Sequence, residues 1–409
     1  MKTVVIPTGK PYEVLIGRGL IGRAGQEIAR VHAPCRVCVV SDSRVSALYF
    51  FSLEAALKAA GFESRLFTFP EGEASKTLQT FGEAEAFLFA SGLTRSDLVV
   101  TLGGGVAGDL GGFAAACYQR GIPFVQIPTS LLCAVDASVG GKTAVDLPGG
   151  KNMVGAFHQP ILVLCDTAAF STLDEKRWAD GAAESVKHGL IRDTALFERM
   201  SSPLWREDVD STVEMNLEVK KSFVCGDETD RGKRQLLNFG HTVGHAVESL
   251  SGFSLSHGQA VAIGMAAEMR AARRMGMSAA GENDVIPVLR SLGLPTECPF
   301  GYREVVEAAL GDKSAPGTPS PSPSWTGSAR RALRRRTLIP LPNTYAWGWN
   351  DARPPEALPR PGHCGRPGKQ KRRPPSFNPG GPVPGEMPRL SVPRNGSGKK
   401  RSFTVFERR

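Results

Sequence analysis

Apolar positions in the first 170 residues fall into short β-branched runs separated by longer stretches of helical period. The runs Val4 to Pro7, Arg36 to Ser41, Asp97 to Gly103, Phe124 to Pro128 and Ile161 to Cys165 are expected strands, with Leu53 to Gly61 and Ser75 to Ser91 as helices between them. Near-continuous apolar strands alternating with helices predict a mostly parallel, Rossmann-like α/β sheet. From Asp174 the strand signal fades. Residues 179–200, 210–225, 236–251, 257–276 and 284–292 carry helical periodicity, closed by glycines such as Gly252, Gly276 and Gly293. The expected organisation is an α/β half over residues 1–172 and an all-helical half over 173–313, with no internal repeat.

The 409 residues carry a formal net charge of +10, which raises the question of a nucleic-acid partner. Location answers it. Residues 315–409 hold 19 Lys and Arg against 4 Asp and Glu, leaving 31 against 36 before them, so the body is mildly acidic. That last stretch also holds 18 of the 30 prolines and only 12 Leu, Ile, Val or Phe, below the roughly 20% at which a chain buries a core. Residues 314–409 are therefore expected to be a disordered tail, and no nucleic-acid partner is expected. No apolar run approaches the ~18 residues that span a bilayer, and Met1 to Tyr12 lacks a signal-peptide core, so no membrane partner and a cytoplasmic location are expected. Cys35 and Cys38 have CxxC spacing but sit in an expected strand, which makes them filler rather than a redox or metal pair.

Three stretches carry candidate chemistry. Thr101 to Phe113 follows a strand with Gly103, Gly105 and Gly108 in GxGxxG spacing and leads into an expected helix over Ala114 to Tyr118. Such a junction suits a phosphate held by backbone N–H groups and a helix N-terminus. The usual acidic ribose partner about 20 residues later is missing, and Asp42, ending an earlier strand, takes its place. Val135 to Thr143 resembles the end of a Walker A loop, but Asp136 replaces the required glycine, leaving glycine-hinged turns that present Lys142 and, after Pro148, Lys151 and Asn152 to an anion. In the helical half, Glu184, Lys187 and His188 share one helix face, His241 and His245 lie one turn apart, and His257 opens a helix. Two histidines and a carboxylate from separate helices make a Zn²⁺ site with a position left for substrate, and spacing alone leaves both His241 and His245 as ligand candidates. Lys220, Arg234 and Asn238 flank this stretch, more polar groups than a core accepts.

In chain order, Glu71 to Thr77, Gly103 to Phe113, Asp136 to Thr143, Gly150 to Phe157, Glu184 to Lys187, Arg234 to His245 and His257-Gly258 resemble 3-dehydroquinate synthase, a sugar-phosphate cyclase, from about residue 10 to Lys313. The resemblance implies an NAD- and Zn- (or Co-) dependent lyase of the shikimate pathway. It would convert 3-deoxy-D-arabino-heptulosonate 7-phosphate to 3-dehydroquinate and phosphate by transient oxidation, phosphate elimination, reduction and intramolecular aldol closure. Carried over residue by residue, it makes Glu184, His241 and His257 the metal ligands and turns His245 toward substrate. NAD contacts would come from Asp42, Glu71, Gly72, Glu73, Ala74, Ser75, Lys76, Gly105, Val106, Ala107, Gly108, Asp109, Thr129 and Ser130, with Asp136, Lys142, Lys151, Ala169, Phe170, Ser171 and Thr172 nearby. Ser130 departs from the commoner threonine but keeps the hydroxyl. Lys142, Lys151, Asn152, Lys187, Lys220, Arg234, Asn238 and His245 would hold the substrate's phosphate and carboxylate, and Arg120 would reach the partner's phosphate in a homodimer. Other cyclases of this architecture act on substrates without the carboxylate, which Arg234 and Lys220 argue against. A polyol dehydrogenase with net NADH production is the alternative from another reaction class. Beyond Asp312-Lys313 the family pattern stops, and Ser314 onward has the composition expected of a GC-rich gene read out of frame, which predicts an incomplete helical half and an impaired chain.

Overall fold

The computed structural model describes residues 1–148, 150–274 and 282–311, all within one compact unit. The expectations for the tail lie outside them.

Nine strands and eleven α-helices occur among the described residues. In chain order they are β1 (Lys2–Ile6), β2 (Tyr12–Gly17), α1 (Ala24–Ala29), β3 (Arg36–Asp42), α2 (Ser43–Ala59), β4 (Glu63–Phe69), α3 (Leu78–Ala90), β5 (Leu98–Gly103), α4 (Gly105–Cys117), β6 (Phe124–Pro128), β7 (Lys142–Leu147), β8 (Gly150–Phe157) and β9 (Leu162–Asp166). Helices follow without further strands: α5 (Glu175–Ile191), α6 (Thr194–Met200), α7 (Val209–Val224), α8 (His241–Leu250), α9 (His257–Arg274), α10 (Glu282–Ser291) and α11 (Tyr302–Gly311).

Seven strands form one sheet in the order β1-β2-β9-β6-β5-β3-β4, parallel throughout except for β1, and β7 with β8 forms a separate antiparallel pair. The chain leaves β3 toward β4 on one side and then continues through β5 and β6 on the other. The strand order therefore reverses between β3 and β5, where the carboxyl ends of an open α/β sheet leave a crevice. Apolar side chains from α1 and α2 cover one face and those of α3 and α4 the other. A third cluster joins Val4, Ile6, Val14, Ile16 and Val163 of the sheet to Val186, Leu217 and Val261, so the helical half packs directly on the β1-β2-β9 end.

Five helix starts follow the expected chemistry. Asp42, Thr77, Asp174, Asp193 and Asp208 accept backbone N–H bonds at the starts of α2, α3, α5, α6 and α7. Asp193 also explains one correction: the helix expected over 179–200 breaks there because the aspartate caps a new helix. The stretch 236–251 likewise divides into a 3₁₀ turn, Lys233–Asn238, and α8, separated by Gly240 in a left-handed conformation. The glycines from Gly105 to Gly112 are not a loop before the helix but its first two turns, since α4 begins at Gly105. Lys142 and Lys151 lie on the strands of the β7–β8 hairpin rather than in turns. Cys38 is buried in β3 and Cys35 precedes it; both thiols are free, and burial pushes them up to about 12 and about 11, which suits filler.

Candidate active site

The crevice between β3 and β5 collects the residues expected to meet a nucleotide. Asp42 ends β3, Gly103 ends β5, and Gly104 precedes α4 as its N-cap, offering no side chain to the N–H groups of the first turn. Asp42 spends one carboxylate oxygen on the N–H groups of Arg44 and Val45 at 3.0 and 2.9 Å. The Glu71 to Lys76 loop leaves β4 and ends at Lys76, whose buried ammonium bonds Asp109 of α4 at 2.6 Å and Asn152 of β8 at 2.5 Å. Thr129 and Ser130 follow β6 and face the same end of the sheet; a Cβ on Gly104 would lie 3.4 Å from Ser130 Oγ. After β9, Ala169 and Phe170 are core residues, Phe170 standing edge-on to Trp178, so within 169–172 only Ser171 and Thr172 expose side chains. Arg120 lies apart from this crevice, exposed beyond the far end of α4, about 20 Å of helix from Gly105.

Glu184, His241 and His257, from α5, α8 and α9, converge so that one donor atom of each lies within 4.8 Å of the others. Glu184 Oε1 is 3.5 Å from His241 Nε2 and 3.3 Å from His257 Nε2. Donors on a tetrahedral ion with bonds of about 2.1 Å stand about 3.4 Å apart, so this spacing fits a divalent cation. Glu184 has no exposed surface; Lys187 pairs with its Oε2, while Oε1, the oxygen turned to both histidines, has no well-directed hydrogen bond and suits a cation bound between the three groups. The rings are also turned for ligation. His241 Nδ1 donates to the Phe239 carbonyl at 3.2 Å and His257 Nδ1 faces Glu248 Oε2 at 3.9 Å, which leaves each Nε2 toward Glu184. His245 stands beside this set, its ring 5.3 Å from that of His241 and 6.2 Å from that of His257, outside the three-donor group.

Ion pairs link the cation site to the crevice. Lys151 bonds Glu248 at 2.9 Å and lies 3.4 Å from Glu73, and Glu73 is 3.8 Å from Lys76. On the other side Lys187 pairs with Glu184, and buried Lys220 pairs with Asp136 at 2.6 Å. Burial opposes ionisation of Asp136, but Lys220 and Lys187 outweigh it and hold the carboxyl well below its usual range. Burial likewise lowers Lys220 against the pull of Asp136. Asp136 belongs to a π-helical turn, Cys133–Ala137, a distortion common at functional sites. Lys142 is half exposed and pairs with Asp230 at 2.5 Å.

Arg234 differs from its neighbours. It is 1% exposed and donates to the carbonyls of Glu228 at 2.7 Å and Gly140 at 3.0 Å, so it clasps two loops rather than facing open space. Gly140, at φ 101°, makes this possible: a Cβ there would overlap the guanidinium. Asn238 is exposed at the end of the 3₁₀ turn before α8.

Sequence reasoning missed Glu248, which joins a lysine of the hairpin to a histidine of the cation site. Its signal was present, since it lies seven residues after His241 and three after His245, on the same face of α8. Asp230 as the partner of Lys142 had no such signal, because the pairing crosses 88 residues.

The 3-dehydroquinate synthase N-terminal family model matches residues 66–180 and the C-terminal model residues 181–315. Over 315 residues the chain is 45% identical to the 3-dehydroquinate synthase of Streptococcus sanguinis, covering 75% of this chain and 89% of that one. The Caulobacter vibrioides 3-dehydroquinate synthase is 43% identical over 336 residues, covering 78% and 90%. Among solved structures, a 2-deoxy-scyllo-inosose synthase complexed with carbaglucose-6-phosphate, NAD+ and Co2+ superposes with a TM-score of 0.71 at 26% identity, covering 78% of this chain and 90% of that one. A Streptomyces hygroscopicus 2-epi-5-epi-valiolone synthase with NAD+ and Zn2+ bound gives 0.68 at 30% identity, covering 73% and 85%. An iron-containing alcohol dehydrogenase, 17% identical with a TM-score of 0.56 over 80% of this chain and 97% of that one, shares the fold alone. The two family models meet end to end over residues 66–315, which include the helices of Glu184, His241 and His257, and the chain belongs to the 3-dehydroquinate synthase family.

Proposed function

We propose that this chain is a 3-dehydroquinate synthase, a lyase that converts 3-deoxy-D-arabino-heptulosonate 7-phosphate to 3-dehydroquinate and phosphate, with NAD as a recycled cofactor and Zn²⁺ or Co²⁺ as the metal. Residues 1–172 hold the nucleotide in the crevice at Asp42, Gly105 and Asp109, and residues 173–313 supply the cation and substrate groups. The observation that carries the reading is the three-donor set of Glu184, His241 and His257, joined by ion pairs to the crevice where the strand order reverses. When bound, the cation lowers the pKa of a coordinated hydroxyl and NAD⁺ takes and returns a hydride.

The chain's own residues bind and orient. Lys142, Lys151, Lys187 and Lys220 are each balanced by an acid, Asp230, Glu248, Glu184 and Asp136 in turn. An incoming phosphate or carboxylate therefore takes over donors that are already aimed, at little cost in reorganisation. Lys142, the most exposed of the four, stands where an anion first meets the hairpin; Lys151 and Asn152 follow on β8, and Asn238 and His245 add polar groups from the segment that leads into and forms α8. Held by these lysines, the substrate's phosphate takes up the proton from the neighbouring carbon as it leaves, and positioning of the ring-opened product favours aldol closure. Lys220 serves the carboxylate end, with Arg234 fixing the loop that faces it. In a homodimer, Arg120 at the far end of α4 reaches the substrate phosphate of the partner subunit.

Phosphate release from the heptulosonate substrate and from a hexose 6-phosphate lacking the carboxylate tests this reading. Preference for the heptulosonate by at least about a hundredfold in kcat/KM is expected of a site that pairs both anionic ends. Preference for the hexose phosphate would place the chain with the other cyclases.

A further inference from the structure

The three helices that carry the cation-site residues touch at backbone distance. A Cβ on Gly264 would overlap the Gly240 carbonyl, one on Gly258 would overlap the backbone of Asp180, and one on Gly244 would lie 3.0 Å from the Ala260 carbonyl oxygen. Gly240, which opens α8, is itself enclosed: φ is 78°, and a Cβ would stand 2.6 Å from Met265 Cγ and 2.9 Å from the Val261 carbonyl oxygen. Position 240 therefore has no room for the Asp, Ser or Thr that ordinarily caps a helix. The cap comes from α9 instead. Glu268 Oε2 accepts from the Gly240 N–H at 3.1 Å, and the same carboxylate accepts from the Val243 N–H. The next helix shows the same device, for Asp180 Oδ1 of α5 accepts from the Gly258 N–H at 3.1 Å in the first turn of α9. The first residue of α8 is His241, the first of α9 is His257, and Asp180 stands one turn before Glu184.

We propose that Glu268 and Asp180 are positioning residues of the cation site, each carboxylate capping, across a helix–helix contact, the helix whose first residue is a histidine ligand. The proposal rests on the reading of Glu184, His241 and His257 as ligands. A cap from within the same chain segment fixes a helix start only relative to its own loop. A cap donated by the neighbouring helix fixes it relative to the next ligand, so α5 sets α9 and α9 sets α8. Neither carboxylate is in the three-donor group, so losing one displaces a donor without removing it. Metal bonds tolerate errors of only about 0.2 Å, so even a small shift of a helix start weakens the site.

The test uses the full chain, freed of metal and titrated with Zn²⁺ against a chromophoric chelator, with the visible spectrum of the Co²⁺ form as a second readout. Glu268→Ala and Asp180→Ala are expected to weaken Zn²⁺ binding about 10- to 100-fold and to shift the Co²⁺ bands. Glu268→Gln and Asp180→Asn, whose amide oxygens still accept the N–H bonds, are expected to recover wild-type affinity. His241→Ala is the control that removes a ligand. Wild-type Zn²⁺ affinity in the two alanine variants, beside a weakened His241→Ala, overturns the proposal and leaves the ligand reading standing. Wild-type affinity in His241→Ala overturns the ligand reading and the proposal with it. A fall in metal-free melting temperature with unchanged Zn²⁺ affinity marks a merely structural role and also overturns it. If an alanine variant does not fold, Glu268→Asp replaces it: its carboxylate, one methylene short, is expected to weaken Zn²⁺ binding where Glu268→Gln does not, and equal affinity of the two overturns the proposal.

Discussion

Glu248 shows how one side chain serves two halves of the site. It is 4% exposed, holds Lys151 of the hairpin at 2.9 Å with one oxygen and faces His257 with the other. Burial works against its charge, but His257 and Lys151 hold the carboxyl down at about 2. The two carboxylates Glu184 and Glu248 in turn overcome the burial of His257 and raise it to about 10 in the absence of a cation. Glu248→Gln keeps the shape and loses the charge. We expect KM for the phosphorylated substrate to rise about tenfold as Lys151 loses its anchor, with a smaller fall in kcat; steady-state kinetics that leave KM unchanged contradict this. His188 gives a pH prediction. Its Nδ1–H donates to Asn216 Oδ1 at 2.9 Å, because the Asn216 amide N–H is committed to the Thr212 carbonyl, and this leaves Nε2 buried and unprotonated. Burial first, then the charge of Lys187, lowers His188 from 6.5 to about 4. The folded chain thus refuses a proton that the unfolded chain accepts. Stability is whole above about pH 6.5 and falls as the pH drops toward 4, by on the order of 3 kcal/mol from this group. Melting curves in chelator at pH 7, 5.5 and 4 should fall less steeply for His188→Gln; an identical slope would count against the assignment.

At the scale of elements, the strands and helices that bury continuous or periodic apolar faces were legible in the sequence, among them β3, β5, β6 and β9. β2 was not, although Tyr12–Gly17 is almost wholly buried, and neither were β4 and the β7–β8 hairpin, which are largely half exposed. β4 reads Glu-Ser-Arg-Leu-Phe-Thr-Phe and lies at the sheet edge, where polar residues are tolerated, and the β7–β8 hairpin is rich in glycine and lysine. Glycine serves close packing in both halves. In α4, Gly111 and Gly112 let the helix lie against Thr101 and Thr143, so a glycine-rich run that reads as loop is helix. In α8 and α9 the same economy of side chains brings the helices of His241 and His257 into contact. Gly264→Ala would force the Gly240 carbonyl aside, and we expect a loss of about 1–3 kcal/mol together with weaker Zn²⁺ binding, checked by denaturant unfolding and metal titration. Unchanged stability would show that the two helices part without cost.

For the molecule as a whole, the sequence told where the charge lies but not how it is used. The body before residue 315 is mildly acidic, and each of the lysines expected to hold substrate already has an acidic partner in the folded chain. Spacing placed His241 and His245 together and left the choice between them open. The fold brings Glu184 and His257 to His241, from helices 57 and 16 residues away in sequence, and leaves His245 outside that group. Pairings of that kind follow from helix packing and cannot be read from local periodicity. The central claim is that this cation site and the crevice beside it act on one substrate, with the nucleotide recycled. The direct measurement follows phosphate and NADH together while the full chain turns over the heptulosonate substrate with catalytic NAD, before and after chelation. Phosphate release in excess of NAD without net NADH is expected, lost with chelator and restored by Zn²⁺ or Co²⁺. Net NADH without phosphate, or phosphate release indifferent to chelator, would contradict it.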